Sequence, residues 1–414
     1  MSTPTVWSVN LNPLRMSPVL CLHSLREGER DALRLLKMLG VQGVRVDLHW
    51  HWLFPHPGRP DARAWAWYRD WLTRLAEAGI ATYALLYHPP AWAWRTWQQQ
   101  PGAFLGAWDA FCIRVAEQLG DCLAVAQVWN EPNNYLAALK GDAVLFHTRK
   151  AGRWHLPVGV PWQLLGQMCQ QARAALPPHV AIAINPLANL FPLAPRCVEW
   201  LDWLPFTERL LREAGAAVDM VALDHYPDTW HPGTGPLEWS CMDGAAARVE
   251  NPDSAFFGKT VNLGEIGYAS APHNPRFGPW RVFSGPRSEH TMAAWYAAAL
   301  PFVAERLRQP ALAGNRAHWV NVYELFDAPR PVGGGGLLAL EDHFGLVRLD
   351  GTLKPAFQVL QAVTRGEAVP APSLERRRAP RYWRVGTWLR RLEAAQSGGK
   401  EPVCPLDAWV LGLG

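Results

Sequence analysis

Two segments of the chain place a glutamate at the end of an apolar, β-branched run. Residues 124–130 (AVAQVWN) are typical of a strand and lead directly to Glu131, and residues 260–266 (TVNLGEI) are typical of a second strand that carries Glu265. A carboxylic acid and a carboxylate that face each other can protonate a leaving oxygen and meet the developing positive carbon from the other side. Hydrolysis of a glycosidic bond requires such a pair.

Eight apolar runs alternate with segments of helical spacing along the chain. The predicted strands are 5–10, 41–49, 81–88, 124–130, 180–185, 219–226, 260–266 and 318–324, and the predicted helices are 24–40, 61–79, 101–120, 162–176, 197–215, 289–309 and 354–364. This alternation favours a parallel sheet closed into a (β/α)8 TIM barrel. An open, doubly wound sheet is the alternative, but no glycine-rich phosphate loop follows the first strand.

The spacing of the two glutamates fits the barrel. Glu131 ends strand four and Glu265 lies on strand seven, 134 residues later, which is about 45 residues for each of three strand–helix units. The carboxyl ends of all strands in such a barrel meet at one mouth, where the active site lies. We therefore expect both carboxylates to point into that mouth from opposite sides.

Several short motifs resemble the clan A glycoside hydrolases, also called the 4/7 superfamily. WNEPN at strand four resembles the acid/base motif of that clan, and GEIGY at strand seven resembles its nucleophile segment. RVD at strand two, YHP at strand three, DHYP at strand six and YELFD with HFGLVRLDGTLKPAF at the end extend the resemblance. Parts of the pattern are shared with families thirty-nine, five and seventeen.

The resemblance implies a retaining glycosidase that works by double displacement on a carbohydrate and without a cofactor. Glu131 would be the acid/base and Glu265 the nucleophile, which must begin protonated and ionised, respectively. Asn130 is expected to bind the sugar 2-hydroxyl. Arg45 and Tyr226 are expected to keep Glu265 ionised.

Other substrate contacts are expected from histidines and tryptophans. His88 at the end of strand three would bind sugar hydroxyls, and His225 would bind sugar or tune Glu131. Trp129 and Trp319, like Trp50, are candidates for stacking on sugar rings, although most of the 23 tryptophans are expected to pack in the core. The chain departs from the clan at strand eight, where VYELFD offers Tyr323, Glu324 and Phe326 in place of the clan's tryptophan.

The net charge of the chain comes from its C-terminal part. The formal net charge is +4, and residues 365–414 carry nine Lys or Arg against five acidic residues, so the remainder is balanced. A balanced body lacks the basic face that nucleic acid or an anionic membrane would require. We expect a catalytic barrel over residues 1–365 and a basic, Pro- and Arg-rich extension with an amphipathic helix over residues 366–414.

Two further patterns concern location and redox state. The N-terminus shows no secretory signal, and no apolar run is long enough to span a bilayer. Seven scattered cysteines without CxxC spacing indicate reduced thiols. The sequence therefore predicts a cytoplasmic protein.

Two other functions stay open. The barrel would bind a glycan without cleaving it, within a polysaccharide assembly, if the glutamates did not react. Alternatively, His49 and His51 would share a face of strand two beside His88, and three imidazoles can hold zinc in a metal-dependent hydrolase. Turnover abolished by Glu265→Gln would remove the first function, and indifference to a chelator would remove the second.

Overall fold

The protein was analysed as a computed structural model that describes most of the chain. The described residues are 4–13, 25–93, 96, 100–133, 148–150, 153–155, 161–188, 203–229, 234–271, 276–277, 280–281, 287–309, 312, 316–328 and 336–369. Most of the predicted loop 135–161, the glycines at 333–335 and all of the predicted extension beyond residue 369 lie outside them. The proposed domain boundary at residue 365 stays a prediction.

Eight parallel strands close into a barrel in sequential order, which confirms the predicted fold and rules out the open sheet. They are β1 (Thr5–Leu11), β2 (Gly43–His49), β3 (Ala81–Tyr87), β4 (Leu123–Val128), β5 (Ala181–Ile184), β6 (Met220–His225), β7 (Thr260–Ile266) and β8 (His318–Val322). Two short antiparallel pairs, residues 148–150 with 153–155 and 276–277 with 280–281, lie outside the barrel sheet.

Helices follow the strands around the barrel. They are α1 (Leu25–Leu39), α2 (Ala62–Glu77), α3 (Pro101–Leu119), α4 (Pro161–Ala175), α5 (Trp203–Ala214), α6 (Ser240–Val249), α7 (Glu289–Leu307) and α8 (Pro355–Arg365). The sequence predicted all of these except α6, whose glycine and three alanines carry little amphipathic signal. Among the described helices, none is long and apolar enough to cross a membrane.

Local signals explain several helix ends. Asp61 caps α2 by accepting hydrogen bonds from the backbone N–H groups of Arg63 and Ala64. Gly40 follows α1 with φ at +71°, and its N–H donates to the carbonyls of Leu36 and Lys37, so the predicted C-cap is confirmed. Ser24, half of the predicted capping box, lies outside the described residues.

The barrel interior is apolar at the end where the strands begin. Tyr83, Val125, Met220 and Trp319 pack there in one cluster. Gly43 makes room for this layer, because a Cβ at that position would lie 2.3 Å from a ring carbon of Trp319. The bottom of the barrel is therefore closely packed, and the charged pair Arg45 and Glu265 meets above it, toward the mouth.

The larger apolar core lies between the strands and the surrounding helices. Eleven tryptophans are buried, which is most of those whose burial the structure describes, and for the others the predicted packing stays a prediction. Trp50 is fully buried and stacks on Phe111 with ring centroids 5.0 Å apart, beside Trp108 and Phe104. It offers no exposed face for a sugar ring, so its predicted stacking role is wrong.

Candidate active site

The two predicted glutamates meet at the mouth of the barrel. Glu131 comes three residues after the end of β4, and Glu265 is the sixth residue of β7. One carboxylate oxygen of each lies within 4.8 Å of the other, and Asp224 at the end of β6 contributes a third oxygen within the same distance. Glu265 is buried, with 6% of its surface exposed, whereas Glu131 is half-buried.

Glu265 is held by a cation and a phenol, as the sequence predicted. The Nη1 of Arg45 donates to Oε1 of Glu265 at 2.7 Å, and the Tyr226 hydroxyl donates to Oε2. Burial raises the pKa of Glu265, and these two donors oppose part of that rise. Burial and the neighbouring Glu265 also raise the pKa of Tyr226, so its hydroxyl keeps the proton that it donates.

Arg45 joins the nucleophile to the segment that carries the acid/base. Its Nε donates to Gln127 Oε1 at 3.2 Å, and its Nη2 donates to Asn130 Oδ1 at 2.9 Å. Burial alone would disfavour its charge, but the neighbouring carboxylate of Glu265 raises its pKa above the ordinary value. Arg45 therefore stays cationic, and each of its three nitrogens has a fixed acceptor.

The Asn130–Glu131 segment turns sharply as it leaves β4. Trp129 and Glu131 have φ angles of +66° and +39°, a conformation that costs free energy for residues with a side chain. Asn185 holds the turn: its Oδ1 accepts from the N–H of Glu131 at 3.1 Å, and its Nδ2 donates to Asn130 Oδ1 at 3.0 Å. Gln127 Nε2 also donates to the carbonyl of Trp129.

Trp129 and Trp319, which the sequence assigned to sugar stacking, do not face the mouth. Trp129 is buried and packs edge-on against Tyr87 with centroids 4.9 Å apart. Trp319 is 4% exposed, and as the second residue of β8 it lies in the layer at the opposite end of the barrel. Both predictions are wrong, because a ring enclosed by protein cannot stack on a ligand.

His225 belongs to the protein rather than to a substrate. Its Nε2 lies 2.9 Å from Glu238 Oε2 and its Nδ1 lies 3.4 Å from the carbonyl of Ala188, while its ring is buried. The hydrogen bond from His225 lowers the pKa of Glu238 to about 2. The predicted direct contact with a sugar is wrong, since both ring nitrogens already face protein oxygens.

His88 has a different environment. A quarter of its side chain is exposed at the mouth, and its Nε2 lies 3.0 Å from Asp47 Oδ2. Asp47 also accepts from Asn12 Nδ2, and Asn12 Oδ1 lies 3.0 Å from His49 Nε2. This series of hydrogen bonds orients the His88 ring, and the predicted contact of His88 with a sugar stays a prediction.

The three histidines considered for zinc do not share a face. β2 ends at His49 and the helical turn Trp50–Leu53 follows, so His51 is carried away and its Nδ1 lies 3.2 Å from the carbonyl of His88. The group with suitable spacing is instead Asp47, His49 and His88, whose ligand atoms lie within 4.8 Å of one another. Burial lowers the pKa of His49, which favours the neutral imidazole that a metal needs.

The sequence missed two residues that shape the site. Asn185 directly follows β5 in the run AIAIN, and Asp224 stands two residues before Tyr226 in the run DHY. Residues two apart on a strand share a face, so Tyr226 itself was the signal for Asp224. Tyr323, the departure at strand eight, lies edge-on to Tyr226 with centroids 6.1 Å apart and borders the mouth.

Many solved structures share this fold. The GH5_18 protein from Streptomyces cattleya, solved with GlcNAc, gives a TM-score of 0.62 at 17% identity over 90% of this chain and 83% of its own. The beta-glycosidase BGL167 gives 0.60 at 17% identity over 91% and 100%, and the exo-beta-1,4-mannosidase Op5Man5 from Opitutaceae bacterium strain TAV5 gives 0.56 at 18% over 91% and 61%. No protein-family model and no curated protein matches the chain. At such identities the likeness is one of fold, and these neighbours are glycosidases, as the motifs led us to expect.

Proposed function

We propose that the protein is a retaining glycosidase that cleaves a β-glycosidic bond in an oligosaccharide, a polysaccharide or a glycoconjugate. The separation of Glu131 and Glu265 carries the proposal. Their nearest carboxylate oxygens lie within 4.8 Å, whereas inverting enzymes keep the two groups about 6.5–9.5 Å apart to hold a water molecule between them. The closer spacing suits direct attack by a carboxylate, which gives a covalent intermediate and retention of configuration.

Each glutamate has one task in each half of the reaction. Glu265 attacks the anomeric carbon while Glu131 gives its proton to the leaving oxygen, so the glycosidic bond breaks as the Glu265–sugar ester forms. Glu131 then removes a proton from water, which attacks the same carbon and releases Glu265. The environment of Glu265 fits its role as nucleophile, since Arg45 and Tyr226 both favour the ionised form.

The loss of charge on Glu265 explains how one glutamate can act as acid and then as base. While Glu265 is ionised, its nearby negative charge favours the proton on Glu131. When Glu265 becomes an ester, that repulsion disappears and Glu131 loses its proton more readily. The short distance between the two groups therefore couples the protonation of Glu131 to the stage of the reaction.

We assign sugar binding to Asn130. Its carbonyl oxygen accepts hydrogen bonds from Arg45 and Asn185, so its amide nitrogen is the group that it offers to a hydroxyl such as the 2-hydroxyl. A contact there strengthens as charge develops at the neighbouring carbon. His88, oriented by Asp47, and Tyr323 line the rest of the mouth and are the next candidates.

The names of the structural neighbours suggest which sugars to try first. They include beta-glucosidases, an exo-beta-1,4-mannosidase and a protein solved with GlcNAc. We therefore select 2-deoxy-2-fluoro β-glycosides of the gluco, manno, galacto and xylo series, together with N-acetyl and uronic analogues. A 2-fluoro group slows release of the covalent intermediate more than its formation when the leaving group is good.

The test is intact-mass spectrometry after incubation with each fluoroglycoside, followed by peptide mapping. We expect an adduct on Glu265, and none in Glu265→Gln. Glu117→Gln is the matched control, because Glu117 lies exposed on α3 and should be labelled like the wild type. An adduct on another residue would refute the assigned nucleophile, and no adduct or turnover across the panel would favour a barrel that binds glycan without cleaving it.

A metal-dependent reaction is the second candidate, because Asp47, His49 and His88 have suitable spacing. Prolonged chelation should leave the rate of a retaining glycosidase unchanged. If activity were lost on chelation, restored by zinc, and absent in His49→Ala, the metal mechanism would replace the one proposed.

A further inference from the structure

A third carboxyl group lies beneath the two glutamates. Asp224 is fully buried at the end of β6, and its oxygen lies within 4.8 Å of oxygens from both Glu131 and Glu265. Gly264 on β7 makes room for it, because a Cβ at that position would lie 2.3 Å from Asp224 Oδ1. The presence of Asp224 therefore explains sterically why the residue just before Glu265 is a glycine.

The hydrogen bonds of Asp224 are unequal. Oδ2 accepts from Asn185 Nδ2 at 2.6 Å, whereas Oδ1 is buried and has no hydrogen-bond partner among the described residues. A buried carboxylate needs several donors to offset its lost hydration. One donor for two oxygens fits a neutral carboxylic acid whose proton is on Oδ1.

The surrounding charges favour the same protonation state. The groups that face Asp224 are Glu131 and Glu265, the guanidinium of Arg45, and the neutral phenols of Tyr83 and Tyr226. Arg45 is the nearby cation and already donates to Glu265 and Asn130. Burial, followed by the charge of Glu265, raises the pKa of Asp224 well above its ordinary value.

Asp224 is also connected to the acid/base through one amide. Asn185 donates to Asp224, donates to Asn130, and accepts from the N–H of Glu131, so all of the polar atoms of its side chain are used. The left-handed backbone at Glu131 depends on this amide for its orientation. Asp224 thus reaches the acid/base without touching a substrate.

We propose that Asp224 is a positioning residue that stays protonated during turnover: as a neutral acid it anchors Asn185, and through it the Asn130–Glu131 turn, without adding a negative charge beside Glu265. This inference rests on the proposed glycosidase function for its kinetic consequences. The protonation state itself can be measured whether or not a substrate is found.

Two substitutions separate the charge of Asp224 from its hydrogen bond. Asp224→Asn keeps a carbonyl for Asn185 and is neutral, so we expect kcat/KM within about fivefold of wild type and both limbs of its pH profile unmoved. Asp224→Ala removes the acceptor, so we expect kcat to fall about 10- to 100-fold with a smaller change in KM. A loss above about thirtyfold in Asp224→Asn, or a shift of either limb by about one pH unit, would show that Asp224 is normally ionised and would overturn the proposal.

Infrared spectroscopy provides the readout that does not need turnover. With aspartate labelled by 13C at its side-chain carboxyl, the wild type at pH 7 should show the C=O stretch of a protonated aspartyl acid. That band should be missing from both Asp224 variants, so either one that folds suffices for the assignment. Its absence from the wild type would refute the proposal, whereas its presence without turnover of any glycoside would refute only the proposed function.

Discussion

The hydroxyl of Tyr226 is the donor to Glu265 that can be removed with the least change of shape. Tyr226→Phe keeps the ring that packs edge-on against Tyr323 and Phe344, and deletes only the oxygen that bonds to Oε2. Glu265 must be ionised to attack, so activity falls as the pH falls through its pKa. Removal of a donor raises that pKa, and the acidic limb of kcat/KM should move to higher pH.

The size of the shift follows from the strength of a hydrogen bond to a charged group. Such a bond contributes about 1.5–3 kcal/mol, and each pKa unit corresponds to about 1.4 kcal/mol. The full effect would be about one to two units, and because Arg45 continues to donate to Oε1 we expect about one. The shift is upward because the Tyr226 hydrogen bond opposes the rise in the pKa of Glu265 that burial causes.

The assay is the pH dependence of kcat/KM with an activated aryl β-glycoside, measured for wild type and variant under the same conditions. Tyr68→Phe is the matched control: Tyr68 is equally buried, but its hydroxyl donates to the carbonyl of Asp47 and accepts from the N–H of His49. The control should lose stability and keep its acidic limb in place. An unmoved limb in Tyr226→Phe, or a limb that moves to lower pH, would refute the assigned role of this hydroxyl.

Three further changes test other parts of the structure. Arg45→Met should lower kcat/KM at neutral pH by at least about 100-fold, because buried Glu265 then lacks its cation; an active variant would contradict this. Gly43→Ala should lower the free energy of unfolding by about 1–3 kcal/mol through overpacking, measured by urea denaturation, whereas the control Gly102→Ala, with open space around it, should not. The folded state raises the pKa of Asp224, so protonated Asp224 contributes its full stability below its unfolded pKa, and this contribution is lost as the pH rises toward the folded pKa. The free energy of unfolding of the wild type, relative to that of Asp224→Asn, should therefore fall by about 1.4 kcal/mol per pH unit above about pH 4. A flat difference between the two proteins in urea unfolding from pH 4.5 to 7 would contradict the raised pKa.

The sequence predicted the barrel and the glutamate pair because both depend on local signals. Strand and helix periods are visible in short windows, and a polar residue at the end of a buried strand is rare enough to notice. The contact between Arg45 and Glu265 joins residues 220 positions apart, yet it was predicted from the expectation that both side chains point into the mouth from β2 and β7 of a closed barrel.

The failures arose where residue type was given more weight than position along a strand. Trp319 is aromatic and lies on β8, but as the second residue of that strand it is at the end of the barrel opposite the mouth. His51 follows His49 by two residues, but the helical turn that starts at Trp50 breaks the alternation of faces. Asn185 and Asp224 were missed because no local sequence pattern marks them. Their importance comes from the hydrogen bond between them, which forms only in the folded barrel.

The order of the side-chain layers along the barrel axis explains why several buried polar and charged groups are tolerated near the mouth. Below, Tyr83, Met220 and Trp319 form an apolar plug that excludes water and supplies packing energy. Above it, Arg45 and Glu265 replace hydration with hydrogen bonds to each other, an arrangement that seldom stabilises a protein more than apolar residues of the same volume would. Stability alone does not account for such a layer, whereas a reaction that moves a proton and a negative charge between fixed carboxyl groups does, because donors already oriented toward that charge need no reorganisation when it changes.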